Sequence, residues 1–142
     1  GGTYFFTDAS LTANSKLKVT GPCRIFVTGS LDLSGGALVN QTGIPSNCLI
    51  FVHPYHIPAG FVPSKSEAKV NGGAQACLAL YAPDVPVSLG GNPDYFGSIV
   101  GNSVKLNGAA RFHYDEALRT VENNGTVLLE RLYWRDLEEP RR

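Results

Sequence analysis

Three cysteines open similar strand-like segments and are the first residues whose chemistry needs an explanation. They begin residues 23–27, 48–52 and 77–81, in which apolar side chains alternate. If these segments stack, the thiols of Cys23, Cys48 and Cys77 lie about 4.8 Å apart in one file. Such a file suits a metal site, a redox switch or a row of small buried side chains. Free cysteine fills apolar space well, and no neighbouring His or Cys in the sequence completes a tetrahedral ligand set. We therefore expect a buried row of thiols, with no metal and no cofactor.

A histidine pair lies in the proline-rich residues 53–66. Its spacing of three resembles a pair of metal ligands, but Pro54 prevents a regular helix through both residues. No carboxylate is close in the sequence, so a loop pair without metal is the simpler interpretation. Recognition is a second interpretation, because side chains on a proline-stiffened loop lose little entropy on binding. The predicted binding residues of this loop are His53, Tyr55, His56 and Phe61.

Acidic residues are the third group with possible chemistry. A glycosidase or lyase built on stacked strands needs carboxylates gathered on one face, as a close pair or a calcium site. The acids before residue 111 are scattered: Asp8, Asp32, Glu67, Asp84 and Asp94. The sequence also lacks a nucleophile elbow, a phosphate loop and a dinucleotide fingerprint. We expect a protein that is not an enzyme, and a carbohydrate-active β-helix is the alternative.

The charge balance limits the partners. The chain has 142 residues with 12 basic and 12 acidic side chains, and the last 32 residues hold 6 of the basic and 7 of the acidic ones. No global field exists to attract nucleic acid or an anionic membrane, so neither is expected as a partner. No apolar run approaches 18 residues, so no membrane-spanning segment is expected within this stretch. We expect any anchor to lie outside it.

Short alternating segments, most of them closed by glycine, repeat along residues 17–108. They begin at Leu17, Leu31, Ala68, Val87 and Val104, in steps of 14, 37, 19 and 17 residues. Repeats of this kind indicate a chain that coils on itself with one rung per repeat. The long step holds residues 53–66, whose three prolines favour a loop that leaves the stack. The pattern predicts an all-β fold, a right-handed parallel β-solenoid of about five rungs, since parallel crossovers are right-handed by default.

The chain reads as one domain over residues 1–142. Residues 1–16 are expected to cap the first rung with Tyr4, Phe5 and Phe6, and residues 17–114 to form the rungs. Residues 115–142 are predicted to form a C-terminal helix and tail. Asp115 and Gly125 provide the helix start and stop signals. The segment around Trp134 is expected to be extended and to pack on the side of the solenoid.

The rungs also predict a lateral apolar stripe. If Ile25 and Ile50 point inward, their neighbours along the chain point outward and form one column. The predicted stripe is Phe26, Phe51, Leu80 and Ile99. A monomer rarely leaves such a column bare, so the C-terminal segment or a partner is expected to cover it.

Three motifs in order carry a resemblance to a known family. They are Tyr81-Ala82-Pro83, the strand at residues 96–101 and His113-Tyr114-Asp115. Over roughly residues 17–118 the chain resembles the β-helical domain found C-terminal to a pilin-like membrane helix in bacterial PilX-type pilus-assembly and related exported proteins. The resemblance implies a cell-envelope or extracellular setting and a structural role in surface assembly, pilus association or adhesion. The implied partners are other envelope or pilus proteins. Self-association is expected separately, because the end rungs of a solenoid carry unpaired strand edges, and glycans are a further candidate ligand.

Overall fold

The described part of the chain forms a parallel β-solenoid of about four turns with almost no helix. A computed structural model describes residues 1–11, 15–34, 38–54, 66–72, 75–92 and 94–120. The strands are β1 (Gly2–Phe6), β2 (Ala9–Leu11), β3 (Leu17–Val19), β4 (Cys23–Val27), β5 (Leu31–Leu33), β6 (Leu38–Asn40), β7 (Cys48–Val52), β8 (Ala68–Gly72), β9 (Gln75–Gly91), β10 (Asp94–Leu106) and β11 (Arg111–Tyr114). Two short 3-10 helices span Pro45–Asn47 and Glu116–Thr120.

Two ladders of parallel strands form most of the wall. The first ladder stacks β1, β4, β7, the first part of β9, the first part of β10 and β11. The second ladder stacks β2, β5, β8 and the later parts of β9 and β10. A separate two-stranded sheet pairs β3 with β6. The prediction of a parallel solenoid is confirmed.

Like residues form files in the second ladder. Leu33, Val70, Leu89 and Leu106 lie in register on neighbouring strands. The first three are buried and belong to one continuous apolar core. Strict alternation produces this core, because successive side chains of a strand point to opposite faces.

One predicted rung start is wrong. Leu17 pairs with Leu38 in the two-stranded sheet, whereas Leu31, Ala68, Val87 and Val104 do stack on one another. The Leu-Lys-Val pattern of β3 fits the second ladder and the two-stranded sheet equally well, so alternation alone cannot distinguish these two positions. Ala9 of β2, not Leu17, lies in register below Leu31.

The N-terminal residues form the first turn instead of a lid. β1 pairs with β4, and β2 pairs with β5, both in parallel. Tyr4 and Phe6 therefore occupy inward positions, opposite Ile25 and Val27, while Phe5 points outward. Residues 1–16 were expected to cap the first rung. Because aromatic residues favour strands, residues 2–6 pair as a strand instead.

The C-terminal helix begins where Asp115 predicts it. The Asp115 carboxylate accepts a hydrogen bond from the Ala117 amide at 3.0 Å, and its carbonyl accepts one from Leu118 at 3.1 Å. The helix is a 3-10 turn over Glu116–Thr120. Residues 121–142, with the rest of the predicted helix and the extended segment, lie outside the described residues.

A close contact between turns depends on Gly97. This residue has φ +138° and lies in register with Leu78 of the turn below. A Cβ atom here would overlap the Leu78 carbonyl oxygen, and it would lie 3.1 Å from the Pro45 ring. Only glycine allows the two turns and the 3-10 helix over Pro45–Asn47 to approach this closely.

Candidate functional site: an aromatic ridge on the first ladder

Four aromatic rings form a continuous ridge on the outer face of the first ladder. Phe5 lies in register with Phe26, Phe26 with Phe51, and Phe51 with Tyr81. We call Phe5, Phe26, Phe51 and Tyr81 the aromatic ridge. Val100 continues the same column beside Tyr81 and is exposed.

The predicted stripe is correct at two of its four positions. Phe26 and Phe51 belong to the ridge, but Leu80 is 1 % exposed and lies in the core. Ile99 pairs with Leu80 and packs against the same core, so its assignment to the outward stripe is also wrong. The register between β7 and β9 differs by one residue from the predicted one, and such a slip exchanges the two faces of a strand.

The rings of the ridge cover one another's faces. Phe5 and Phe26 are stacked with ring centroids 5.1 Å apart and planes 14° apart. Phe26 and Phe51 are stacked at 4.8 Å and 12°, and Phe51 meets Tyr81 edge to face at 6.3 Å and 60°. Because both faces of the Phe26 ring are covered, the centre of the ridge presents ring edges to the outside.

The column beside the ridge is also poor in charge. This column consists of Arg24, Leu49 and Ala79, which lie in register and precede the ridge residues of the same strands by two positions. Among these three residues only Arg24 is charged. The outer face of the first ladder is therefore largely apolar at its centre.

Two of the three cysteines form the predicted file. Cys23 lies in register with Cys48, and both thiols are free and buried. Cys77 is buried too, but it pairs with Phe96 on the opposite face of the strand, so the expectation of a threefold file is wrong. The same one-residue register difference is the cause.

The thiols are held in the protonated form. Burial, with a smaller contribution from the neighbouring thiols of Cys23 and Cys77, raises the pKa of the Cys48 thiol from its ordinary value of 9.0 to about 12. Burial also raises the pKa of Cys23 and of Cys77. Since the thiolate is the reactive and metal-binding form, these thiols are suited to packing.

Of the predicted loop residues, only His53 lies within the described part of the chain. Tyr55, His56 and Phe61 lie outside the described residues. The His53 Nδ1 atom is 2.8 Å from Asp84 Oδ2, and both side chains are largely exposed. The sequence places these residues 31 positions apart, so the carboxylate beside His53 was missed. No sequence signal links the two residues without the strand register.

Each acidic residue before position 111 has a nearby polar partner. The Asp8 carboxylate accepts hydrogen bonds from the Ser30 amide at 2.7 Å and the Ser30 hydroxyl at 2.9 Å, and these bonds lower its pKa. Asp32 accepts one from Ser34. Glu67 forms an ion pair with Lys69 at 3.1 Å. Asp84 lies within hydrogen-bond distance of His53 at 2.8 Å, and Asp94 lies 3.4 Å from His113. The carboxylates thus lie in separate local contacts.

His113 occupies an outward position of the last strand. Its ring stacks on the Phe96 ring with centroids 4.6 Å apart and planes 11° apart. The two residues are in register between β10 and β11. His113 is therefore a half-exposed residue on the outer surface of the last strand.

Residues 1–121 match the family described as Domain of unknown function (DUF7305). The chain belongs to the DUF7305 family. The matched stretch contains the whole described solenoid and every residue of the aromatic ridge. No curated protein and no solved structure matches the DUF7305 chain.

The N-terminal end of the DUF7305 solenoid contains a cavity that sequence reasoning missed. Its volume is about 510 Å³, and it lies between the first strands of the three walls. Tyr4, Phe6, Leu11 and Leu17 are among the apolar residues that line it, and Lys18 lies at the same end. The inward aromatic residues of β1 are the signal that could have indicated it.

Two further properties describe the DUF7305 domain within the ranges that the structure covers. No cluster of three or more His, Cys, Asp or Glu side chains able to hold a metal ion occurs among the described residues. None of the helices in the described ranges has the length and apolar character needed to cross a bilayer.

Proposed function

We propose that this DUF7305 domain is a non-enzymatic structural or binding module of the bacterial cell envelope. Its role is surface assembly, pilus association or adhesion, and the aromatic ridge is the surface that contacts another envelope protein. The observation that carries the proposal is the ridge itself, with in-register rings on an otherwise charge-poor face. The envelope setting comes from the PilX-type resemblance.

The geometry of the rings favours a protein partner over a sugar. Sugars bind aromatic residues through the flat ring face, and both faces of Phe26 are covered by the neighbouring rings. The remaining ring edges and the adjacent Leu49 offer an apolar strip that suits aliphatic side chains. Burial of aromatic and aliphatic residues is the usual source of binding energy at the centre of protein interfaces.

A carbohydrate-active β-helix is the second candidate. Catalysis on a polysaccharide requires two cooperating carboxylates. Here Asp84 and Asp94 are each paired with a histidine, and Asp8 and Asp32 each accept hydrogen bonds from a serine. These separate contacts support the structural module, and an assay for polysaccharide turnover decides between the two candidates.

Site-specific photo-crosslinking in the source bacterium tests the proposal. A photoreactive phenylalanine analogue replaces Phe51 on the ridge, and in a matched control it replaces Lys69, an outward residue of the second ladder. The expected result is a crosslink from position 51 to one envelope protein and no such product from position 69. The second-site substitution Phe26→Ser should abolish the crosslink while the protein stays folded.

Two results would contradict the proposal. One is equal crosslinking from both positions, which would show that the ridge is not selective. The other is turnover of any polysaccharide by the purified domain, which would favour the carbohydrate-active alternative. Glycan binding that is lost with Phe26→Ser would assign the ridge to a sugar ligand and would also refute the proposal.

A further inference from the structure

The cavity at the N-terminal end extends into the interior of the solenoid. Tyr4 of the first turn, Ile25 of the second and Ile50 of the third lie in register on neighbouring strands, and all three line the cavity. Since neighbouring strands are about 4.8 Å apart, the cavity is roughly 10 Å deep. Tyr4 is 47 % exposed, whereas Ile25 and Ile50 are 4 % and 1 % exposed. The cavity is therefore open at the first turn and closed at the third.

Three walls enclose this space with apolar side chains. The first ladder supplies the file from Tyr4 to Ile50. The second ladder supplies Leu11 and Leu33, which lie in register, and β3 supplies Leu17. The space is thus bounded on all three sides by side chains that point into the solenoid.

Farther along the solenoid an aromatic ring fills the interior. Among the buried core residues that the structure describes, Tyr95 is the only aromatic one, and its hydroxyl reaches the Val70 and Gly90 carbonyls across the core. Around the cavity the buried side chains are aliphatic, Ile25 and Ile50 among them. They leave open the kind of space that the Tyr95 ring occupies elsewhere.

The polar side chains that line the cavity belong to the first turn. They are Asp8, Ser10, Lys18 and Thr20. The Asp8 carboxylate already accepts two hydrogen bonds from Ser30, which leaves two hydroxyls and one cation at the mouth. No buried residue within the described ranges is polar or charged. A ligand therefore meets apolar side chains at the floor and hydrogen-bond donors at the mouth.

We propose that this cavity binds a medium-chain fatty acid, with the aliphatic chain in the interior and the carboxylate at the mouth. The cavity volume of about 510 Å³ lies within the range of small-molecule sites. An apolar cavity of about 150 Å³ already holds benzene, so a chain on the order of ten carbon atoms fits here. The site is separate from the aromatic ridge, and the proposal does not depend on the envelope function.

A chain-length series tests the site. Isothermal titration calorimetry of the whole chain uses hexanoic, octanoic, decanoic and dodecanoic acid, each below its micellar concentration. We expect one saturable site. Each further buried methylene group should raise the affinity about fourfold, and the gain should stop at about ten carbons, when the cavity is full.

Two substitutions within the cavity should weaken the binding of octanoic acid. Ile25→Phe places a ring in the middle of the interior and should lower the affinity about tenfold or more, because it displaces several buried methylene groups. Leu11→Trp narrows the mouth at a partly buried position, so it tests the same point with less risk to the fold. Phe51→Ser on the ridge is the control and should leave the affinity unchanged. Circular dichroism confirms that the variants are folded.

Cys23 provides a measurement that does not depend on affinity. It lines the cavity, whereas Cys48 of the next turn is 0 % exposed and lies beyond the lining residues. N-ethylmaleimide should therefore modify Cys23 faster than Cys48, as followed by mass spectrometry of the peptides. Octanoic acid should slow the modification of Cys23.

Four results would overturn the proposal. One is the absence of saturable binding. Another is an affinity that keeps rising through dodecanoic acid, which indicates adsorption to the surface. Loss of binding with Phe51→Ser would assign the fatty acid to the ridge. Modification of Cys23 that octanoic acid does not slow would show that the fatty acid binds outside the cavity.

Discussion

Phe26 and Phe51 stack face to face across neighbouring turns, with ring centroids 4.8 Å apart and ring planes 12° apart. This contact is the centre of the aromatic ridge, and it joins two turns on the outside of the wall. On the inside, the same strands pair Ile25 with Ile50 in the core. The ridge therefore has a structural role in addition to the proposed recognition role.

A double-mutant cycle should detect the coupling between these rings. Phe26→Ala and Phe51→Ala are each expected to destabilise the fold, with a coupling energy of about 0.5–1.5 kcal/mol, as for other stacked aromatic pairs. Urea denaturation of the wild type, both single variants and the double variant measures it. Phe5→Ala with Phe51→Ala is the control pair, because Phe26 separates these rings. The two substitutions of the control pair should have additive effects on the free energy of unfolding, to within about 0.5 kcal/mol. A coupling energy between Phe26 and Phe51 that is no larger than that of the control pair would refute the stacking.

Removal of the buried Tyr95 hydroxyl should destabilise the solenoid. The hydroxyl lies 2.5 Å from the Val70 carbonyl and 3.1 Å from the Gly90 carbonyl, and it donates to them across the core. Tyr95→Phe keeps the ring but removes the donor, so we expect a loss of about 1–3 kcal/mol in the free energy of unfolding. Tyr114→Phe at the half-exposed last strand is the matched control, with an expected change within about 0.5 kcal/mol. Equal effects would contradict the buried hydrogen bond.

Gly97→Ala should be among the most damaging small substitutions. The added Cβ would overlap the Leu78 carbonyl oxygen, and φ of +138° is unfavourable for alanine. We expect a cost of at least about 1–3 kcal/mol, seen as a lower midpoint of thermal unfolding. Gly21→Ala is the control, because the nearest atom to its Cβ, the Gly1 nitrogen, lies 3.8 Å away. A Gly97→Ala protein as stable as the Gly21→Ala protein would show that the turns are not in this close contact.

The buried Cys48 thiol predicts a loss of stability in alkali. Burial raises its pKa from 9.0 to about 12, so the folded state favours the protonated thiol. The stabilisation is fully present below pH 9 and is lost as the pH rises toward 12, by at most about 1.4 kcal/mol per pH unit. Denaturant titrations at several pH values should give a steeper decline for the wild type than for Cys48→Ala. Parallel pH profiles for the two proteins would contradict the burial of the thiol.

The sequence predicted the second ladder better than the first. Leu31, Ala68, Val87 and Val104 begin clear alternating segments that end in polar residues or glycine, so their phase is unambiguous. In the first ladder, residues 76–82 are all apolar and largely small, so alternation does not define which face is inward. The similar positions of Cys48 and Cys77 then suggested a register that is wrong by one residue. The contact between His53 and Asp84 depends on that long-range pairing and could not be predicted locally.

The most direct test of the ridge is the register between the strands that carry Phe51 and Tyr81, measured by paired cysteine substitution. Phe51→Cys with Tyr81→Cys places two outward thiols on directly paired residues, within the Cα separation that a disulfide accepts. Phe51→Cys with Ala79→Cys is the control, on the same face but two residues out of register. Under mild oxidation, mass spectrometry should find the intramolecular 51–81 crosslink and no 51–79 crosslink. A 51–79 crosslink, or intermolecular products alone, would contradict the account.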